Sequence, residues 1–361
     1  MHDVHRMQCP DPRTNPIEGT PAWSPIKSLW FTAMAIVAFA GGWLTYSWDA
    51  AIVSCLLTIA TLCLGHSIGF HRLLIHRSFE CPRWLEYSLV YLGVLVGMGG
   101  PRRVVYMHDI RDWSQRNPQC HPFFIHQTPI WLDWFWQMHC ELKLRHPPEF
   151  RPDEPITGPI WYRLLDRTWM LQQLPLALGL YFLGGWPWVV WGICVRVTIS
   201  LTGHWLVGYI AHNTGPQTWI VEGASVQGHN VRGLGLITMG EAWHNNHHAF
   251  PESARLGLGP GQSDPGWWVL SLLRRVGLVK NVRLPENIPK REELHRVVLE
   301  ARPVALIESS DTQRHTASNG IRPRRAAHRT PDSVRGRIAE PRPSSRPAWD
   351  SAYGETRARR R

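Results

Sequence analysis

The chain has 361 residues, an apolar share of 44% and a charged share of only 19%. Its formal charge is +11, but residues 302–361 hold 14 Arg against 6 acidic residues and so carry +8, which leaves +3 for the rest. The basic charge therefore belongs to one end of the chain, and nucleic acid is not an expected partner. Seven Cys without a CxxC pair argue against a disulfide framework, a zinc ribbon or an iron–sulfur domain, and indicate reduced thiols.

Hydropathy predicts an integral membrane protein. Residues 29–48 and 50–71 are two uncharged runs separated by a single Asp, and a helix needs about 20 apolar residues to cross the hydrocarbon of a bilayer. We expect an antiparallel pair of spans joined by a tight turn at Trp48–Asp49. A second uncharged stretch is split by a Gly-Gly-Trp-Pro turn and predicts spans at about 169–184 and 186–212.

Positive charges give the expected orientation. Basic residues precede the first span, the segment 72–167 is rich in Arg and Lys, and the two hairpin turns have neither. The positive-inside rule then puts both termini and the middle segment in the cytoplasm, and we expect a multi-pass protein of the bacterial inner membrane. Residues 84–100 are apolar but too few for a span, so we predict a helix in or near the membrane interface. The first 27 residues lack the apolar core of a signal peptide.

The predicted organisation has three parts. Residues 1–27 are a cytosolic N-terminal segment, and residues 28–304 are an all-α membrane domain with four spans in two hairpins under a cytosolic helical cap. Residues 305–361 have the Arg- and Pro-rich composition of a disordered cytosolic tail. Two roles are open for this tail: a solvated appendage, or an attraction to anionic lipid on the cytoplasmic face.

Histidines cluster at the cytoplasmic ends of the predicted spans. His71 and His76 follow the second span, and His244, His247 and His248 follow the fourth. On a helix the last three lie side by side, so three imidazoles can converge on one point. A lone His on an apolar face is usually a packed core residue, but this density predicts a metal site, because imidazole is a good ligand for iron, zinc and copper.

Two further histidines reach the same surface in the four-span topology. His108 lies between the hairpins, and His212 lies near the end of the last span. A fifth span at 84–100 would put His108 on the opposite side of the membrane from His71 and His76. A shared metal site therefore favours four spans.

The motifs GFHRLLIHRSF at 69–79 and GEAWHNNHHAFP at 240–251 resemble those of the integral-membrane fatty acid desaturases of the acyl-CoA, delta-9 type. The last span, with Arg196 and Trp205, is similar as well, and the resemblance covers about residues 28–260. It implies a four-helix stem, a diiron centre with two iron ions, and O2-dependent insertion of a double bond into a fatty acyl chain. The implied metal ligands that match the family are His71, His76, His108, His212, His244, His247 and His248.

The middle histidine box departs from this family. The family pattern is HxxHH, and here Arg111 and Asp112 stand where the second and third His would be. Asp112 lies one helical turn after His108 and offers a carboxylate, which iron accepts, whereas Arg111 cannot ligate a cation. We therefore expect Asp112 as a further metal ligand. The alternative is that it pairs with Arg111 or Arg116, or orients His108.

Other polar residues have no metal role in the family pattern. Arg196 is a basic group inside a span, where charges are costly and often functional, and we expect it to position the substrate together with Trp205. The alternative for Arg196 is capping by bundle neighbours such as Thr202. Of the additional histidines, we expect those at 66 and 204 to face the pore or to neighbour the ligands. The alternative is that one of them replaces a missing ligand, since they lie near His71 and His212 in the sequence. The additional histidines are His66, His121, His126, His204 and His229.

The sequence leaves alternatives open for the electron donor and for the reaction. A haem-binding HPGG segment, a ferredoxin cysteine cluster and a GxGxxG motif after a strand are all missing from the sequence, so a separate ferredoxin, cytochrome or reductase is expected. The first candidate function is desaturation of an acyl-CoA or lipid-linked chain. The others are hydroxylation on the same metal platform, given the altered middle box, and an inactive desaturase-like membrane partner. The retention of seven ligands favours an active enzyme.

Overall fold

The computed structural model describes residues 5–297, and the tail predicted at 305–361 lies outside the described residues. Three helical segments are long and apolar enough to cross a membrane: Pro25–Leu44, Trp48–Ile75 and Gln173–Asn213. Apart from three two-stranded antiparallel ladders, the regular elements of the described part are helical. The expectation of a helical membrane protein is thus confirmed at this level.

The first turn lies earlier than predicted. The tight turn expected at Trp48–Asp49 is wrong, because the first helix ends at Leu44 and the second begins at Trp48. Ser47 provides the reason: its side chain accepts a hydrogen bond from the main-chain N–H of Ala50, which caps the second helix. Asp49 then falls in the first helical turn, where a negative charge is favourable.

The segment Gln173–Asn213 is not one straight helix. Gly185 has a φ of 67° and a ψ of −161°, which interrupts the helical backbone. The side chain of Leu180 lies against Gly192 on the other side of this break, so the chain folds back on itself there. Trp188 donates a hydrogen bond of 2.6 Å to Asp49, so this reversal lies beside the turn between the first two helices.

The second helix changes its winding halfway. Trp48–Ala60 is α-helical, and Thr61–Ile75 is π-helical, with the main-chain N–H of His76 donating to the carbonyl of His71. A π-helix bonds residue i to i+5, so residues five apart lie one turn apart on the same face. The segment packs on the helix Arg83–Leu95 so closely that a Cβ on Gly65 or Gly69 would overlap the neighbouring main chain.

The helix Arg83–Leu95 corresponds to the apolar stretch predicted at 84–100. Its 13 residues are too few to span a bilayer, as expected. It buries Leu89, Val90 and Val94 against the protein, and its position in the membrane interface stays a prediction.

The remaining elements form a cap at one end of the long helices. Two buried ion pairs join this cap to the second helix and the N-terminal segment: Arg72 with Asp264 at 2.8 Å, and Arg6 with Asp109 at 2.6 Å. The cap helices are Pro101–Arg116, Pro122–Ile125, Ile130–His139, Glu154–Thr157, Ile160–Thr168, His244–Ala249, Pro265–Arg275 and the 3-10 turn Pro285–Asn287. The strands pair as Met7–Gln8 with Glu149–Phe150, Gly19–Trp23 with Cys140–Leu144, and Trp219–Val221 with Leu294–Arg296.

Candidate metal centre

Seven histidines converge in two groups where the cap meets the long helices. Within each group the potential ligand nitrogens all lie within 4.8 Å of one another. These seven are the same residues that the sequence motifs indicated. The four-histidine group contains His71, His76, His108 and His247, and the three-histidine group contains His212, His244 and His248.

Three separate elements supply the four-histidine group. His71 and His76 are five residues apart, and the π-helical winding brings their rings to 4.9 Å between centroids. His108 comes from the helix Pro101–Arg116, and His247 comes from the short helix His244–Ala249. The Nε2 atoms of His71 and His247 are 3.3 Å apart.

A partly buried carboxylate orients one histidine of this group. Glu241 Oε2 lies 2.7 Å from His71 Nδ1, and its other oxygen accepts a hydrogen bond of 2.6 Å from the Ser67 hydroxyl. Burial opposes ionisation of Glu241, but His71 and Arg72 outweigh it and hold the pKa of this carboxyl well below its usual range. A carboxylate on the far nitrogen of a ligating His fixes the ring and increases its basicity. Our sequence reasoning missed this role, although Glu241 stands three residues before His244 in the motif.

The nitrogens of the three-histidine group are placed so that they can bind the same metal ion. His212 Nδ1 donates to the carbonyl oxygen of Gly208 at 2.7 Å, so the lone pair of the ring is on Nε2, and the side-chain amide nitrogen of Gln115 lies 3.2 Å from that atom. The Nε2 atom of His244 lies 3.2 Å from that of His212 and 3.1 Å from that of His248. Two nitrogens that each lie about 2.1 Å from one cation at right angles are roughly 3 Å apart. The spacing in both groups fits a bound transition metal.

The three imidazoles of the short helix His244–Ala249 are held in their neutral form. Burial, reinforced by the neighbouring histidines, lowers the pKa of His244 and His247 well below the usual value. Burial also lowers the pKa of His248, to about 4. Neutral imidazole is the form that ligates metals, so the donor set fits a cation such as iron at neutral pH.

Asp112 lies beside the two groups but belongs to neither by distance. One of its oxygens accepts a hydrogen bond of 2.9 Å from Arg116, one helical turn further on. Burial opposes ionisation of Asp112, but Arg116 and nearby histidines, His108 and His248 foremost, hold its pKa well below the usual range. The carboxylate is therefore anionic, and its predicted role as a metal ligand stays a proposal.

Arg196 and Trp205, which we expected to position the substrate, form hydrogen bonds with other groups of the protein. Arg196 is fully buried and donates hydrogen bonds to the carbonyls of Gly192 and Leu95, both at 2.6 Å, and to Gln173 at 2.7 Å. These groups thus satisfy the guanidinium of Arg196, and Thr202, which we had considered as a partner, is not among them. Trp205 donates to Asp133 at 2.7 Å. Since the polar atoms of both side chains have protein partners, we do not propose a substrate role for either.

Three of the additional histidines also have structural partners. His126 Nδ1 lies 3.0 Å from Asp133, His121 accepts a hydrogen bond from the main chain of Phe123, and His229 lies against the carbonyl of Ala211. His66 and His204 differ, since their rings face each other next to the four-histidine group.

Comparisons with known proteins agree with this geometry. Residues 47–258 match the family model for fatty acid desaturases. The chain is 36% identical over 268 residues to an sn-1 stearoyl-lipid 9-desaturase of Anabaena variabilis, covering 73% of this chain and 94% of that protein. It is 34% identical to the sn-1 stearoyl-lipid 9-desaturase of Synechocystis, with coverages of 74% and 81%. It is 34% identical to an acyl-CoA 5-desaturase of Anemone leveillei, with coverages of 69% and 76%.

The histidine motifs, the two histidine groups and the extent of these matches lead to one conclusion. The protein is an oxidoreductase that belongs to the fatty acid desaturase family.

Proposed function

We propose that this protein introduces a double bond into a saturated fatty acyl chain, using O2 and two iron ions, one in each histidine group. The convergence of seven histidines on two points is the observation that carries the proposal. Bound iron would supply the oxidising power, drawn from O2, that removes hydrogen from an unactivated methylene. For each double bond, two hydrogens leave the chain, and O2 is reduced to water with two electrons and two protons from outside.

The protein's own residues prepare this centre. Glu241 holds His71 with Nε2 toward the four-histidine group, and the Gly208 carbonyl holds His212 with Nε2 toward the three-histidine group. We propose Asp112 as a carboxylate ligand of the three-histidine group, since it is anionic and next to His248. Burial of these side chains keeps bulk water from the reacting methylene, and this protects an oxidising site from side reactions.

The proposed topology has four membrane crossings in two hairpins. Supporting it are the backbone break at Gly185 and the hydrogen bond between Trp188 and Asp49, which joins the two reversals at one end. The histidine groups lie at the ends of the long helices away from these reversals. We propose that this end, with both chain termini, faces the cytoplasm of a bacterial inner membrane.

The electrons would come from a separate ferredoxin, cytochrome or reductase. The printed names of the relatives include lipid-linked and CoA-linked acyl chains, so both carriers are candidate substrates here. The replacement of two histidines by Arg111 and Asp112 favours one second candidate, hydroxylation of an acyl chain at the same centre.

Expression in a host without its own desaturase tests the proposal. We expect a new monounsaturated fatty acid in the total lipid by gas chromatography–mass spectrometry, and its loss in the His244→Ala variant. His146→Ala, on a loop outside both groups, is the matched control and should retain the product. A hydroxy acid would instead support the second candidate. An unchanged profile with a confirmed electron donor would leave an inactive membrane partner as the explanation.

A further inference from the structure

Two histidines next to the metal centre have no role in it. His66 lies five residues before His71 on the π-helical segment, and the two rings are stacked with their centroids 6.4 Å apart. His204 approaches from the last long helix, with its ring centroid 4.7 Å from that of His66. Nδ1 of His66 is buried, and within residues 5–297 it has no hydrogen-bond partner. A polar atom buried without a partner costs free energy, so this pair is expected to serve a ligand.

His204 borders free space beside the last long helix. On the helix Arg196–Asn213, at 100° per residue, His204 shares a face with Val197, Ser200 and Ala211, which are all buried. His204 is nevertheless exposed. Gly208 follows one turn later on this face, and a Cβ there would meet no atom within 4 Å. Gly208 lies one helical turn before His212, so this free space begins next to a member of the three-histidine group.

A third donor lies nearby. Arg111 donates a hydrogen bond of 3.0 Å to the side-chain oxygen of Gln137 and is close enough to His204 to interact with it electrostatically. In the described part of the chain, no carboxylate lies within ion-pair distance of Arg111. Guanidinium groups only donate hydrogen bonds, and neutral imidazole offers one donor. A ligand group that meets this trio would therefore be a hydrogen-bond acceptor.

We propose that His66 and His204, supported by Arg111, bind an oxygen atom of the acyl substrate. The oxygen is either the carbonyl of the acyl ester or a hydroxyl or keto oxygen along the chain. The inference rests on the proposed function, because it assumes that an acyl chain occupies the space beside the metal centre. Since His66 stacks on the ligand His71, the bound oxygen would lie within a few carbons of the carbon that reacts.

Binding to the full-length protein in detergent tests this subsite without turnover. The probes are octadecane, methyl stearate, and methyl stearates that carry a hydroxyl at successive positions, titrated by the change in tryptophan fluorescence. We expect the oxygen-bearing chain that reaches the subsite to bind about fivefold more tightly than octadecane, the value of one net hydrogen bond. A gain already present for methyl stearate identifies the ester carbonyl, and a gain for one hydroxylated ester alone identifies an oxygen along the chain.

Variants decide whether the two histidines cause the preference. The double variant His66→Val/His204→Val should lose the gain, and His204→Gln, which keeps a hydrogen-bonding side chain, should retain part of it. The control His146→Val should behave as the wild type. Equal binding of octadecane and all esters, or an unchanged gain in a folded double variant, would overturn the inference. Failure to form any unsaturated product would instead count against the proposed function, because the binding measurement needs no turnover.

Discussion

The two histidine groups differ in how their charges are arranged. In the four-histidine group, a carboxylate of Glu241 contacts a ligand directly, at 2.7 Å from His71. The three-histidine group has its nearest carboxylate, Asp112, in an ion pair with Arg116 at 2.9 Å. Arg291 also lies there, since it donates to the carbonyl of His248 at 3.1 Å, and its charge is paired with Glu293 at 3.1 Å.

This difference coincides with the departures from the family motif. Arg111 and Asp112, which replace two histidines of the middle box, lie next to the three-histidine group and leave the other group complete. A bound cation is favoured by uncompensated negative charge and opposed by nearby positive charge. We therefore expect the four-histidine group to bind iron more tightly than the three-histidine group. The following variants test this difference in iron affinity.

Removing one ligand from each group should give the largest effects. We expect His71→Ala to weaken iron binding in its group by roughly 100-fold or more, since even residues that only orient ligands contribute 10–100-fold. His244→Ala should empty the three-histidine group and leave about one iron per chain. Desaturation should fall below detection in both variants. Iron per chain by mass spectrometry and product by gas chromatography give the readouts, and equal iron loss in both variants would contradict the difference in iron affinity.

The Asp112→Asn variant should have the second-largest effect. If Asp112 ligates iron, this variant should lose about as much iron as His244→Ala, because the amide removes the negative charge that offsets Arg116. Asp11→Asn is the matched control, since Asp11 also pairs with an Arg at 2.9 Å but is far from the centre. Near-normal iron with slower turnover would refute the ligand role and leave Asp112 as a residue that orients its neighbours.

Glu241→Gln should have a smaller effect, confined to the four-histidine group. The amide can still bond Ser67 but no longer provides a negative charge to His71, so we expect iron there to bind 10–100-fold more weakly. The exposed Glu252→Gln serves as a control for the loss of one charge. Competition with a metal chelator measures the affinity. An unchanged affinity would show that Glu241 does not contribute to the difference in iron affinity between the two groups.

The smallest effect concerns Asp166, which lies away from both groups and reports on the stability of the cap alone. Burial raises the pKa of Asp166 from 3.8 to about 6, so the folded protein binds a proton there more readily than the unfolded chain. This contribution stabilises the fold fully below pH 3.8 and is lost as the pH rises through 6.

Asp166→Asn should therefore unfold at a higher temperature than the wild type at pH 8, and the gain should shrink toward pH 4. The amide oxygen can still accept the main-chain N–H of Arg102, which is 3.0 Å away. Thermal unfolding in detergent at both pH values gives the comparison, with iron per chain expected to stay at the wild-type level. A gain of the same size at both pH values would exclude titration of Asp166 as its cause.

Local patterns in the sequence were enough to predict which seven histidines converge. The shared faces expected of His108 with Asp112, and of His244 with His248, assumed helices at these places, and helices are found there. The end of the first long helix was misplaced, because the cap by Ser47 competes with a hydropathy signal that continues to Trp48. The contact of Glu241 with His71 could not be predicted, since it depends on packing between segments 170 residues apart in the sequence.

The pairing of His66 with His71 was out of reach for a different reason. In an α-helix, residues five apart point in directions about 140° apart, so an α-helical reading puts these two side chains on different faces. The π-helical winding that aligns them depends on the close approach of the helix Arg83–Leu95 at Gly65 and Gly69. Intrinsic propensity carries little information about such a winding.

The winding of Thr61–Ile75 also limits how this segment can change in evolution or engineering. A π-helical turn holds about one residue more than an α-helical turn. Deleting a single residue between His66 and His71 would relax one turn to α-helical winding and leave the residues beyond it facing the cap. Substitutions that keep the length leave this register intact. The segment is therefore expected to accept the loss of one residue more readily than a side chain at Gly65 or Gly69, a pattern that comparison of sequences across relatives can reveal.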